Sequence, residues 1–152
     1  MKIAYMSSLL LVMLLFVVQS QAQRRPKDKI FDRKVFVINL AEVAVKKKKK
    51  VPEPIESELS FRSNKLVARS MQSPDNGGYQ AGEYVIYEKE VILDEKRYKF
   101  EGINKNSKGM SLKWKGSVFG GQIEGTAVIS KKGKIKKEYT FTGALKQKRK
   151  RK

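Results

Sequence analysis

The residues best suited to chemistry in this chain are cations in runs. Lys46, Lys47, Lys48, Lys49 and Lys50 follow one another without a break, and Lys148, Arg149, Lys150, Arg151 and Lys152 form a second run. Adjacent charges of one sign repel, stay solvated, and are suited to neutralising the phosphates, sulfates or carboxylates of a polymer or lipid surface. The same pattern also arises as a device that only keeps a protein soluble. Other chemistry is narrowed by absence. The chain has no histidine and no cysteine, so Cys/His zinc sites and Ser-His-Asp or Cys-His nucleophiles are excluded. Carboxylates remain as a possible acid/base pair. Glu58, Glu101, Glu124 and Glu138, however, fall on the polar phase of alternating segments, which is the pattern of surface charge balance. Gly77-Gly78 and Gly120-Gly121 read as turns that lead into no helix, so no phosphate-cradling loop is present. Pro74-Asp75-Asn76-Gly77 has turn chemistry but lacks the spaced oxygen ligands of a calcium loop. No enzyme, metal or cofactor is expected.

A second set of residues belongs to an interior. From Arg97 to Leu145 one pattern recurs four times: a large apolar residue, a spacer, then glycine. The four are Phe100-Glu101-Gly102, Trp114-Lys115-Gly116, Ile123-Glu124-Gly125 and Phe141-Thr142-Gly143. Each lies in an apolar/polar alternation, the period of a strand with one buried face. A glycine weakens a strand, so glycines on the buried phase need a structural reason, and tight coiling into a small closed barrel supplies one. Phe61, Tyr98, Phe100, Trp114, Ala127, Tyr139 and Phe141 are then candidate contacts for a small apolar or amphipathic ligand inside the barrel. The competing reading is that they only pack a core. If curvature consumes the space freed by the glycines, the core is closed; if not, a void remains beside Trp114, Phe100 and Phe141.

The elements that must hold these residues follow from the same alternation. Lys34 to Val43 is a first strand, and Glu58–Arg62 with Lys65–Arg69 forms a hairpin across Ser63-Asn64. Residues 71–82 read as a loop. Residues 83–93 are strand-like but change phase, so a bulge is expected near Glu88 to Glu90. Segments 97–103, 110–119, 122–129 and 135–145 are joined by short turns. If Gly120-Gly121 is a two-residue turn, Val118 faces Ile123, Gly116 faces Gly125, Trp114 faces Ala127, and Leu112 faces Ile129. These segments predict an all-β fold: a single antiparallel up-and-down barrel of about eight strands, with a two-sheet sandwich as the alternative.

The flanks differ from this domain in composition. Met1-Lys2, the apolar Ile3–Val18 and the small residues of Ser20-Gln21-Ala22 form the three-part pattern of a signal peptide, with cleavage expected after Ala22. This almost wholly apolar stretch of sixteen residues falls short of the roughly 20 needed to span a bilayer as a helix. Removing residues 1–22 would leave 130 residues with a formal charge of +18, against +19 for the whole chain. An exported domain without cysteine fits a bacterial periplasm or culture medium. Residues 23–33 read as a flexible basic lead-in, residues 34–145 as the barrel, and residues 146–152 as a disordered polybasic tail.

Leu59-Ser60-Phe61, Trp114-Lys115-Gly116, Ile123-Glu124-Gly125-Thr126 and Tyr139-Thr140-Phe141-Thr142-Gly143 resemble segments of small secreted lipocalin-like, or calycin-like, proteins of bacteria. The resemblance covers about Lys34 to Lys146. It implies a barrel that binds a small ligand. The Gly-x-Trp of a lipocalin first strand is absent, since Trp114 lies late and precedes its glycine. The expected function is therefore an exported, non-enzymatic binding protein for a small apolar or amphipathic ligand in the barrel interior; the alternative is a surface that uses the lysine-rich loop and tail to bind a polyanion such as lipopolysaccharide, an acidic glycan or nucleic acid.

Overall fold

The computed structural model describes residues 28–43 and 52–147. The expected signal peptide (residues 1–22), residues 23–27 of the expected lead-in, Lys46–Lys50 and Lys148–Lys152 lie outside the described residues. Eight antiparallel strands form one sheet that closes on itself: β1 (Val35–Glu42), β2 (Ile55–Arg62), β3 (Lys65–Ala68), β4 (Gly82–Ile92), β5 (Glu95–Lys105), β6 (Met110–Phe119), β7 (Gln122–Lys131) and β8 (Lys134–Leu145). Each strand pairs with its chain neighbours, and β8 returns to β1 with Phe36 opposite Leu145 and Glu42 opposite Tyr139. A sheet that joins its own edges leaves fewer unpaired backbone groups to recruit another chain.

The alternation in the sequence determines which side chains face inward. In β6 and β7 the register pairs Val118 with Ile123, Gly116 with Gly125, Trp114 with Ala127 and Leu112 with Ile129, as the turn at Gly120-Gly121 predicts. The phase change in β4 is also real. Tyr87 is the extra residue, for the pairing steps from Ile86 opposite Phe100 to Glu88 opposite Lys99. One unpaired residue exchanges the two faces, so Val91 falls on the phase that Ile86 occupies before the bulge.

The glycines at 102, 116, 125 and 143 are explained by close approach rather than by unusual backbone angles, since none of them has a positive φ. A Cβ on Gly116 would lie 2.6 Å from the Glu124 carbonyl oxygen, 2.9 Å from Phe141 Cζ and 3.0 Å from Phe100 Cε1. On Gly125 it would fall against the Lys115 carbonyl oxygen and the same Phe141 ring. The space that the missing side chains free is therefore filled at Gly116 and Gly125 by phenylalanine rings and neighbouring backbone, at Gly102 by Leu66 and Tyr84, and at Gly143 by Val37 and Ile38.

Two segments outside the strands close the ends. Residues 69–81 fold over one end as a short helix α1 (Arg69–Gln72), a 3₁₀ turn (Pro74–Asn76) and an extended return, which inserts Met71 and Tyr79 into the core. Sequence periodicity gives no sign of this helix because one turn is too short to display a period. At the other end Asp28–Lys34 crosses the mouth, and Phe31 is 0% exposed. Its ring centroid lies 5.0 Å from that of Phe61, 5.7 Å from Phe100 and 6.0 Å from Tyr98. The described part of the lead-in is thus part of the core, a role that its polar composition conceals. Truncating a fully buried phenylalanine to alanine costs about 3–5 kcal/mol, so this one ring weighs as much as a strand contact.

Asp28 holds the plug in place. Its carboxylate accepts the backbone N–H groups of Ile30 and Phe31 at 2.8 Å and the Tyr84 hydroxyl at 2.7 Å. Burial, and then the bond to Asp28, hold the Tyr84 phenol well above its usual range, so the folded protein keeps it neutral. The unfolded chain loses that proton near pH 10, whereas the folded one does not. Stability from this group is therefore constant below about pH 10 and falls as pH rises beyond it, by at most ~1.4 kcal/mol per pH unit. Tyr84→Phe should lower the stability at neutral pH by about 1 kcal/mol and flatten the decline above pH 10. Urea midpoints taken from pH 7 to pH 11 measure both effects, and an unchanged alkaline slope would dissociate Tyr84 from it.

Candidate functional site

The ring closure brings the interior candidates into one cluster. Phe61, Phe100, Trp114, Ala127 and Phe141 are buried, as is Tyr139, while Tyr98 is half-buried where the strands open toward Phe31. They contact one another: Phe61 and Phe100 centroids are 5.3 Å apart at 88°, and Trp114 and Phe141 are 5.4 Å apart at 66°. Such edge-to-face geometry is the preferred arrangement of packed rings. Of the two outcomes left open for the space beside Trp114, Phe100 and Phe141, the packing at Gly116 and Gly125 favours the closed one, since the Phe141 ring, with Phe100 at Gly116, occupies it there. A side chain at position 116 would not fit there, because its Cβ would lie 2.6 Å from the Glu124 carbonyl oxygen.

A buried polar network anchors the closed end beneath residues 69–81. The Trp114 indole N–H donates to Asn104 Oδ1 at 2.7 Å. Asn104 Nδ2 in turn donates to the carbonyls of Leu66 at 2.9 Å and Gln80 at 2.7 Å, joining β5, β6, β3 and the lid. Asn106 Nδ2 donates to the Gly77 carbonyl at 2.8 Å, while its Oδ1 accepts from the N–H groups of Lys108 and Met110. Tyr79 Oη and Ser70 Oγ are buried and have no hydrogen-bond partner. Burial raises the Tyr79 and Tyr139 phenols, so both stay neutral at physiological pH.

The outer surface carries the charge. Lys113 and Lys115 both reach Glu101, at 3.9 and 3.6 Å, which leaves two cations sharing one carboxylate. Lys99 lies 3.0 Å from Glu88 and 3.1 Å from Glu90, and their hydrogen bonds raise its pKa. The bulge turns Tyr87 outward over this region, with Lys115 Nζ 5.9 Å from its ring centroid. Tyr87, Lys99, Lys115, Glu124, Thr126, Thr140 and Thr142 are among the residues that line an open depression of about 360 Å³. An exposed aromatic with a carboxylate, a set of hydroxyls and two lysines already paired to glutamates is a polar surface suited to a sugar-bearing ligand. Among the described residues, no three His, Cys, Asp or Glu residues are grouped to hold a metal ion.

No family model, no curated protein and no solved structure matches the chain. The functional reading therefore rests on the site geometry.

The structure thus assembles Phe61, Tyr98, Phe100, Trp114, Ala127, Tyr139 and Phe141 in the interior. Lys46–Lys50 and Lys148–Lys152 lie outside the described residues, though their attachment points are defined. The lysine run joins the end of β1 to the start of β2, on the side of the 69–81 lid. The basic tail follows Lys146, which is itself held: its N–H donates to the Val35 carbonyl at 2.8 Å and its Nζ pairs with Glu58. Sequence reasoning missed Phe31 and Tyr87. The phase break in β4 was the available signal for Tyr87, since the bulged residue is the one most free to point away.

Because Asn104 holds three partners at once, Asn104→Leu should leave the Trp114 N–H and two carbonyls without a partner, each costing about 1–3 kcal/mol. Chemical denaturation should show a large loss, and Trp114 emission should change before global unfolding. A variant as stable as the native chain would show that the network is dispensable.

Proposed function

We propose that the protein is an exported, non-enzymatic binding protein of calycin-like architecture whose working part is its cationic exterior, engaging an anionic polymer or lipid. One observation carries this reading. The described residues hold 20 basic and all 15 acidic residues, a net charge of +5, while the remaining 14 basic residues lie in the segments before residue 28, between 43 and 52, and after 147, with no acidic residue among them. A nearly balanced folded body joined to uncompensated cationic segments concentrates the positive field where chain leaves the barrel. The N-terminal pattern supports export, and an anionic cell-surface polymer or lipid is the partner such a protein meets there.

Deleting residues 148–152 should lower retention on heparin and flatten its salt dependence, since each neutralised anionic group contributes roughly 0.7–0.9 to the slope. Replacing Lys46–Lys50 by glutamine should add a further, independent loss. Identical elution of all variants in a salt gradient would reduce both runs to solubility devices.

The interior reading keeps one observation in its favour. β3 and β4 share only two register pairs, Lys65 with Glu83 and Leu66 with Gly82, so the ring has a seam beside Phe61 and Phe31. An apolar ligand entering there would displace Phe31 and gain about 25 cal/mol per Å² removed from water. Titration with fatty acids, followed by emission of the single tryptophan, Trp114, distinguishes the readings. A saturable response supports an interior ligand, and none in the folded protein leaves the exterior as the binding part.

A further inference from the structure

The outer face of β5–β8 carries polar side chains in two adjacent rows set by the ladder register. One row runs Lys99, Ser117, Glu124, Thr142, and the next runs Glu101, Lys115, Thr126, Thr140. Between the rows lie Gly116 and Gly125, which bring only backbone to the surface and help to line the depression beside Tyr87. That depression does not end at the first row. A second one, of about 320 Å³, shares Ser117, Glu124 and Thr142 with it and continues to Arg97 and Gln122. The two form one groove that runs along β6 and β7 toward the Gly120-Gly121 turn. Each half has a volume near the lower end of small-molecule sites, about 300–1,000 Å³.

The charges around this groove restrict what can lie in it. Lys99 is held by Glu88 and Glu90, Lys115 by Glu101, and Arg97 by Glu90, at 3.0 to 4.0 Å. Among the described residues, Glu124 has no ion pair, and the hydroxyls of Thr126, Thr140 and Thr142 have no hydrogen-bond partner. An anion entering here would meet cations that are already neutralised and one carboxylate that is not. A neutral ligand rich in hydroxyls suits the same set, because each of its O–H groups can donate to Glu124 and accept from a lysine, threonine or guanidinium. The ends differ in a matching way. Tyr87 is 47% exposed and offers a flat apolar surface to the C–H face of a sugar ring. At the other end the Arg97 guanidinium lies over Phe119, 5.2 Å from its centroid, so that end presents N–H donors in place of a bare ring.

We propose that this groove binds a neutral linear oligosaccharide, with one unit against Tyr87 and the next bonded to Glu124, Thr142 and Arg97. Two depressions that share their central side chains fit consecutive units of one chain better than a single small molecule. The site goes beyond the cationic-exterior reading and stands apart from it, since every residue it uses lies on β4–β8. Its contacts are hydrogen bonds and stacking, so occupancy should be insensitive to salt, whereas retention on a polyanion is not.

Calorimetric titration of the whole protein with maltohexaose, cellohexaose and chitohexaose, three neutral chains of different linkage or substituent, tests the proposal. At least one should bind saturably, with the same affinity at low and high salt. Tyr87→Ala and Glu124→Gln should each weaken that binding about five- to tenfold. Thr140→Val keeps the shape and strand preference of the side chain while removing a hydroxyl, and should weaken it about threefold. Glu138→Gln, on the same strand but outside the groove, should bind like the native chain. All four positions are at the surface, and urea midpoints equal to that of the native chain establish that the variants remain folded. Binding of none of the three chains, or native affinity in both Tyr87→Ala and Glu124→Gln, overturns the proposal. Heparin retention without binding of a neutral chain overturns the groove alone, and the reverse pattern upholds the groove while overturning the cationic-exterior reading.

Discussion

Everything in this ring depends on how closely β6, β7 and the Phe141 ring approach one another. Gly116 and Gly125 face each other across the ladder, and the room a Cβ would need is occupied by backbone carbonyls and by the edges of Phe141 and Phe100. Removing two side chains lets the sheet bend sharply, and the bend brings β8 round to β1. The same act puts large rings at the centre of a small ring of strands, which leaves the ends, rather than the middle, to be sealed by separate pieces of chain. Phe31 and the 69–81 segment are those pieces.

The parts of this architecture legible in the sequence are those governed by a period of two. The β6–β7 pairing could be read residue by residue because a two-residue glycine turn and four inward pairs agreed. The bulge was legible as a phase change, and it lies at Tyr87, one residue before the expected stretch. Phe31 was not legible, since a single aromatic in a polar segment has no periodicity, and what commits it to the core is the Asp28 carboxylate binding two N–H groups and a distant tyrosine hydroxyl. Nor was the Asn104 network, in which a polar residue on the inward phase is satisfied by partners 10, 24 and 38 positions away.

The candidate site divides along the same line. The seven interior residues were identified from alternation, and the fold gathers them, but gathering them fills the space as much as it offers it. The charge pattern was visible as composition, whereas its spatial meaning comes from where the strands begin and end. The described body is close to balanced, and the uncompensated cations belong to segments attached at its two ends.

The seam between β3 and β4 also bears on how the molecule moves. Only two residue pairs join these strands, against ten across the β6–β7 ladder. From β4 to β8 the chain is an uninterrupted series of hairpins, each built from near neighbours, whereas β1–β3 join that series by the β8 ladder on one side and, on the other, by this short ladder, the Asn104 bonds and the Phe61 contacts. Phe31 bridges this line, with ring contacts to Phe61 of β2 and to Tyr84, Tyr98 and Phe100 of β4 and β5. Amide protons at the seam should exchange through small local openings that leave the β5–β8 ladders intact. Closure along this line rests on side chains more than on ladder bonds, and the segment that carries Phe31 follows directly on the basic residues that precede Asp28.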